Sequence, residues 1–180
     1  MQHIFLPYGS ILQIRKRVII TRAKTVAQSY TEQVHIVMPE HINGNKRLFG
    51  GRLLEWIDVV AGVVARRHSE CEVTTACIDH LEFLSDVRVS STIVLKGKIT
   101  YVGTTSMEVR IDTFVEHLDG TRAYVNKAFL VMVALDENQR PTPVPSLHLQ
   151  TEQEIKENEQ AKKRKIHREW LAKYQRECEI

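Results

Sequence analysis

Long apolar runs are missing from this sequence: no stretch approaches the roughly 18 consecutive apolar residues of a membrane-crossing helix, so no membrane span is expected. Cysteine is scarce. Cys71, Cys77 and Cys178 form no CxxC pair, and an odd count without ligand spacing argues against a disulfide scaffold or a thiolate metal site and for reduced thiols in the cytoplasm. Neither sign of charge dominates, since 25 Lys and Arg face 22 Asp and Glu for a net charge of +3. That excess is too small to indicate nucleic acid or a membrane surface as partner. Also absent are a P-loop, a GxSxG nucleophile elbow and an HExxH helix, and the eight histidines show no ligand spacing. No metal and no separate cofactor are therefore expected, and the partner must be read from the site.

What is present is one core. With 43% hydrophobic residues over 180 positions, the chain can bury a single domain but hardly two. Residues 1 to 27 open with "MQHIFLPYGSILQIRKRVII", in which Pro7 and Gly9 break the apolar run and the charges follow it. This reads as a poorly ordered extension rather than a signal peptide. "YTEQVHIVM" alternates as a strand, with Val34, Ile36 and Met38 on one face and Gln33, His35 and Val37 on the other. After Pro39 a loop with turn formers Asn43, Gly44 and Asn45 leads to Gly50-Gly51. The run from Arg52 to Arg67 then reads as a helix, apolar on nearly every side and so buried nearly all round.

Four strand-like runs follow, at 73 to 84, 92 to 103, 106 to 118 and 122 to 135, with "GTT" and "LDG" as hairpin turns. The order β-α-β-β-β-β predicts an α+β fold in which an antiparallel meander curls around the central helix. One helix face would stay open, and a second copy would cover it. Beyond a proline-spaced exit segment, residues 149 to 180 read as a charged C-terminal helix. Its acids (Glu152, Glu154, Glu157, Glu159) precede its bases (Lys162, Lys163, Arg164, Lys165, Arg168), an order that suits the helix dipole. The expectation is a solvated helix resting Ile155, Ile166, Trp170 and Leu171 on the body or on a partner subunit.

Within "WIDVVAGVVA" one ionisable group stands out, because burying Asp58 costs several kcal/mol unless it is paired or neutralised. Its helix face is shared by Leu54, Glu55, Ala61 and Gly62, and the last two leave a shallow recess one turn beyond it. The nearest bases, Arg52 and Arg66, lie off that face, so any partner would come from a strand. At the helix start, Gly50 and Gly51 bare backbone N–H groups suited to a developing oxyanion. Acid and donors together make an acyl-transfer arrangement: donors for a carbonyl oxygen, a base for water. Asn43, or Asn45, is either a turn former or an amide that orients the water or the carbonyl. His41 is the one histidine near this loop, and Cys77 reads as a small core residue on an inner strand.

At "NGNKRLFGGRLLEWIDVVAGVVARRH" the chain resembles the hotdog-fold acyl-CoA thioesterases of the YciA and brain acyl-CoA hydrolase type. "TTACIDHLEFL", "VGTTSMEVRIDTFVE" and "FLVMVALDENQRPTPVP" extend the resemblance over roughly residues 30 to 148, and the charged tail is also similar. The resemblance implies a hotdog domain over 28 to 148, a five-stranded antiparallel sheet wrapped around the long helix, that hydrolyses fatty acyl-CoA to free acid and coenzyme A. Coenzyme A would be part of the substrate. It further implies Asp58 as the helix carboxylate, Asn43 as the loop asparagine and Gly51 with Gly50 as the oxyanion-binding start. Acid and asparagine of one site would come from opposite subunits of a homodimer, with hexamers forming as trimers of dimers. Thr104 and Ser106 are coenzyme A contacts by resemblance only. His41 stands where many relatives carry an acid, and Lys46-Arg47 replaces a Gly-acid pair, so a more basic loop could help hold a phosphate. Two other readings remain: an acyl-CoA-binding hotdog protein without catalysis, and an enoyl-CoA hydratase, for which only His41 could serve.

Overall fold

The computed structural model describes residues 22–178, so most of the expected N-terminal extension lies outside the described residues. The described part of that segment, from residue 22, is docked on the body. Strand β1 (Lys24–Thr25) pairs parallel with β7 (Leu147–His148), and Val26 is buried behind it. One apolar anchor and two ladder positions tie this segment to the exit segment.

The main sheet contains β2 (Thr31–Ile36), β3 (Glu72–Phe83), β4 (Thr92–Val102), β5 (Ser106–Glu116) and β6 (Arg122–Leu135), in the order β2-β4-β5-β6-β3 and antiparallel throughout. The expected meander holds for β4 to β6 but not for β3, which crosses to the far edge beside β6. Helix α1 (Gly50–Ser69) joins β2 to β3. Strands leaving its two ends reach opposite edges because the helix lies across the sheet that wraps it.

Leu53, Ile57, Val60, Ala61, Val64 and Ala65 form the buried stripe of α1, at the three- and four-residue spacing of one helix face. Each large member contributes about 1.5–3 kcal/mol by leaving water. Close approach to β4 depends on Gly97, where an added Cβ would lie 2.8 Å from Val60 Cγ1 and Val64 Cγ2 and 2.9 Å from Ile111 Cδ1. Burial is one-sided within the chain, not all-round: Val59 is 50% exposed and nothing lies within 4 Å of a Cβ built on Gly62. Along β2 and the two residues after it the apolar set Val34, Ile36 and Met38 faces outward, while Val37 is buried and His35 stacks on Trp56 at 4.2 Å between ring centroids. An aromatic ring supplies the inward contact that aliphatic side chains would otherwise make.

Helix α2 (Glu152–Cys178) crosses the outer face of the sheet and corrects the expected solvated helix. Its polar side docks. Glu157 pairs with Lys98 at 2.7 Å and Arg110 at 3.1 Å, Asn158 Nδ2 donates to Thr100 O at 2.8 Å, and Ala161 is fully buried. Arg164 and Arg168 both pair with the buried Glu108, at 2.7 and 2.9 Å, and Arg168 reaches Asp79 at 2.8 Å. Ile155, Ile166, Trp170 and Leu171, expected on the body or on a partner subunit, are exposed in this chain. Charges on the sheet's outer face decide this orientation, since a covered charge needs an opposite one beside it. Among the described residues no helix is long and apolar enough to cross a membrane.

Candidate active site

The strand partner left open for Asp58 is Thr75. From β3, Thr75 Oγ1 donates to Asp58 Oδ1 at 2.6 Å, with the Met132 thioether 3.5 Å from the same hydroxyl. Among the described residues no ion pair involves Asp58, and the carboxylate is only half-buried. A short hydrogen bond to an anion fixes the carboxylate in direction without neutralising it. Thr75 was missed at the level of sequence, although a signal exists: Val73 and Thr75 face the helix while Thr74 and Ala76 are exposed, so a hydroxyl sits at an inward position of the strand.

The recess beside Asp58 is made by Gly62 alone, because Ala61 is fully buried in the core. Phe49 occupies the N-cap of α1 with extended backbone and offers no side-chain acceptor. The first N–H groups bonded back to it are those of Arg52 at 2.9 Å and Leu53 at 3.2 Å, both to Phe49 O. The N–H groups of Gly50 and Gly51 precede these bonds and are left for an outside oxygen. A Cβ on Gly51 would lie 2.6 Å from Phe49 Cε1, so the Phe49 ring lies over this position.

Asn43 organises the preceding loop. Its Oδ1 accepts the N–H groups of Asn45 at 2.9 Å and Arg47 at 3.2 Å, and its own N–H donates to Arg47 O at 2.8 Å. Turn former and candidate donor are thus the same residue: with the oxygen used by the loop, the amide N–H₂ points elsewhere. Asn43 lines a cleft of about 210 Å³ with Gly50, Leu53, Ser85 and Val87. Asp58 is not in its wall. Asp58 lies eight positions along the helix from Gly50, about 12 Å at 1.5 Å per residue, outside the cleft that Asn43 lines. A larger groove of about 1350 Å³ lies around Arg66, Glu70 and Asp136 at the other end of α1, and neither Asp58 nor Gly51 lines it.

His41 is used by the loop: its Nδ1 accepts Met38 N–H at 3.1 Å and its ring meets Trp56 edge-on. Burial, followed by the nearby His41, pushes the His35 imidazole below its ordinary pKa. Arg47 is paired with Asp86 at 2.9 Å. Thr104 and Ser106 lie in the β4–β5 turn and at the start of β5: Gly103 N–H donates to Ser106 O at 2.7 Å, and Val144 N–H to Thr104 O at 3.0 Å, which ties the turn to the exit segment. Cys77 is exposed on the edge strand β3 rather than placed on an inner one, so it is not a core residue. Among the described residues no group of three His, Cys, Asp or Glu side chains could hold a metal ion.

Residues 45–120 match the model of the thioesterase superfamily. An uncharacterized acyl-CoA thioester hydrolase of Bacillus subtilis is 41% identical over 120 residues, covering 66% of this chain and 70% of that one. A crystal structure of an apo hexameric acyl-CoA thioesterase superposes with a TM-score of 0.81 at 38% identity, over 84% of this chain and 97% of that one. An acyl-CoA hydrolase of Staphylococcus aureus, solved with butyryl coenzyme A, coenzyme A and coenzyme A disulfide, gives a TM-score of 0.82 at 25% identity, over 87% and 96% of the two chains.

Proposed function

This chain belongs to the thioesterase superfamily as an acyl-CoA thioester hydrolase of hotdog fold, and we propose that Asp58, Thr75, Gly51 and Asn43 divide the reaction among them. One observation carries the proposal: a carboxylate held by the Thr75 hydroxyl, outside every ion pair among the described residues, beside the open space at Gly62. In the reaction Asp58 takes a proton from the attacking water, or attacks the thioester carbonyl itself. The N–H of Gly51, backed by Gly50 and the helix dipole, receives the negative charge that develops on the carbonyl oxygen. The amide of Asn43 positions the water or that oxygen. Coenzyme A leaves as a thiolate, and because thiols have a pKa of about 8.5 its departure needs no strong acid. Coenzyme A is part of the substrate, and no separate cofactor enters the scheme.

Because Asn43 and Asp58 stand apart in one chain, the complete site is built from two. The free edge of β3 offers the contact. Antiparallel pairing of β3 with a copy of itself sets the Thr75 end of one strand beside the Phe83 end of the other, and residues 85 to 87 that follow it flank the Asn43 cleft. The hexamer named for the similar solved structure supports a trimer of such dimers. The free thiols of Cys71 and Cys77 support a reducing compartment, the cytoplasm. Thr104 and Ser106 remain candidates for coenzyme A contact through a neighbouring subunit.

The test is release of free thiol from short, medium and long acyl-CoA by the wild type and by Asp58→Asn. Loss of a general base lowers kcat about 10²- to 10⁴-fold while the fold is retained. A variant that releases thiol at the wild-type rate makes Asp58 structural and ends the proposal.

A further inference from the structure

Two polar side chains interrupt the apolar inner face of the sheet. Along β5, Thr113 shares that face with Val109 and Ile111, and along β6, Asn126 shares it with Ala128 and Leu130. Thr113 and Asn126 stand directly opposite each other in the register, and both are fully buried. Thr113 Oγ1 and both amide atoms of Asn126 have no hydrogen-bond partner among the described residues, not even each other. A buried polar atom left unmatched costs more than its hydrogen bond would have contributed. Three such atoms on one pair of residues mark a place that bonds something beyond the chain itself.

A bulge brings this pair to the Asn43 cleft. Thr113 pairs with Asn126 and Phe114 with Tyr124, so Val125 is the extra residue of β6. Bulges re-aim side chains out of strict alternation, and Val125 and Asn126, although successive, are both buried. Val125 lines the cleft together with Asn43, Gly50 and Leu53. Asn126 follows it at one Cα step, about 3.8 Å. The polar pair is thus next to the wall of the cleft that reaches the start of α1.

We propose that Thr113 and Asn126 form the polar end of the acyl pocket and select thioesters whose acyl group carries a hydroxyl. The inference rests on the site proposed above, with the carbonyl at Gly51, and names the acyl group that site takes. Leu48, Leu53, Val87 and Val125 of the cleft hold the acyl carbons. A hydroxyl both donates and accepts, Asn126 offers an N–H₂ and a carbonyl oxygen, and the Thr113 hydroxyl does either. One substrate oxygen can therefore engage both residues, whose Cβ atoms are about 4.5–5.5 Å apart as in any directly opposite pair. A plain alkyl chain leaves all three protein atoms unmatched. Sites that bond a substrate hydroxyl reject the analogue lacking it far more strongly than an apolar pocket separates chains by size.

The experiment measures thiol release from butyryl-, hexanoyl- and octanoyl-CoA and from the 3-hydroxy and terminally hydroxylated form of each. The proteins are the full-length wild type, Thr113→Val, Asn126→Leu and Asp58→Asn, each with a melting curve. The first two substitutions keep the side-chain volume and remove its polarity. For at least one chain length the wild type is expected to favour a hydroxylated ester over the plain one by about tenfold or more in kcat/KM, and both variants bring that ratio toward one. Because the ratio is taken within one protein, a loss of stability alone does not move it. A wild type that favours the plain ester at every length, or a preference that both variants retain, overturns the polar end and leaves the catalytic site standing. Wild-type rates in Asp58→Asn overturn the catalytic site instead, whatever the ratios.

Discussion

Thr75 and Asp58 are 17 residues apart in sequence and 2.6 Å apart in space, hydroxyl to carboxylate. The bond links the edge strand to the central helix, so any movement of β3 is felt at the acid.

If that bond orients the base, Thr75→Val lowers kcat about 10- to 100-fold, the worth of a hydrogen bond to a charged group, with KM and thermal stability nearly unchanged. Thr75→Ser restores most of the rate. Steady-state kinetics beside a melting curve separates this outcome from a packing defect, which would lower the melting temperature first.

A site shared between chains makes a prediction about mixtures. Asn43→Ala and Asp58→Asn are each nearly inactive as homodimers, but their purified heterodimer regains about half of the wild-type activity, because one of its two sites collects both lesions and the other collects neither. Failure of the heterodimer to regain activity places both residues in one chain's site.

Two glycines separate chemistry from packing. Gly97→Ala drives a methyl group into Val60, Val64 and Ile111 and is expected to cost about 1–3 kcal/mol of stability. Gly51→Ala meets only the outer ring atoms of Phe49, an exposed side chain that can turn away. Its stability should change by less than about 1 kcal/mol while kcat falls, since the methyl group crowds the N–H that receives the oxyanion. Chemical denaturation and thiol-release rates on the same two proteins check both halves.

Stability should fall with acid in two windows. Burial pushes the His68 imidazole below its ordinary pKa, and a hydrogen bond with Pro145 O only partly offsets this. Below about pH 6.5 the unfolded chain binds this proton more readily than the folded one, so stability declines as pH falls through that value. Glu157 behaves as a paired carboxylate. Burial works against its charged form, but hydrogen bonds from Lys98 and Gln153 and the charges of Lys98 and Arg110 outweigh it and hold the pKa below the ordinary value. Its contribution is full above the unfolded pKa of about 4.5 and disappears as pH falls through the lower folded value. Urea titrations across pH should show both declines, with Glu157→Gln flattening the lower one.

Much of the fold was legible because its signals are local. Alternation located the main strands to within two residues, and the breaker-free run located α1, whose observed start at Gly50 and end at Ser69 each lie two residues beyond the expected limits. Asp58 was legible for a similar reason, since one acid in ten otherwise apolar or small residues is an anomaly readable without neighbours. The face of β2 was not legible, because His35 against Trp56 outweighs the preference of Val34 and Ile36 for burial.

By itself the sequence determined which segments are strand or helix, where the turns fall and which acid lacks a local partner, because backbone periodicity and side-chain chemistry act over a few residues. Tertiary structure alone decided that β3 lies at the far edge, that Thr75 holds Asp58 and that α2 docks through Glu157, Arg164 and Arg168 rather than through its apolar side chains. Those outcomes depend on which charges and hydroxyls meet across the sheet. Such pairings join residues far apart in the chain, and they are settled by the cost of leaving a buried polar group unmatched.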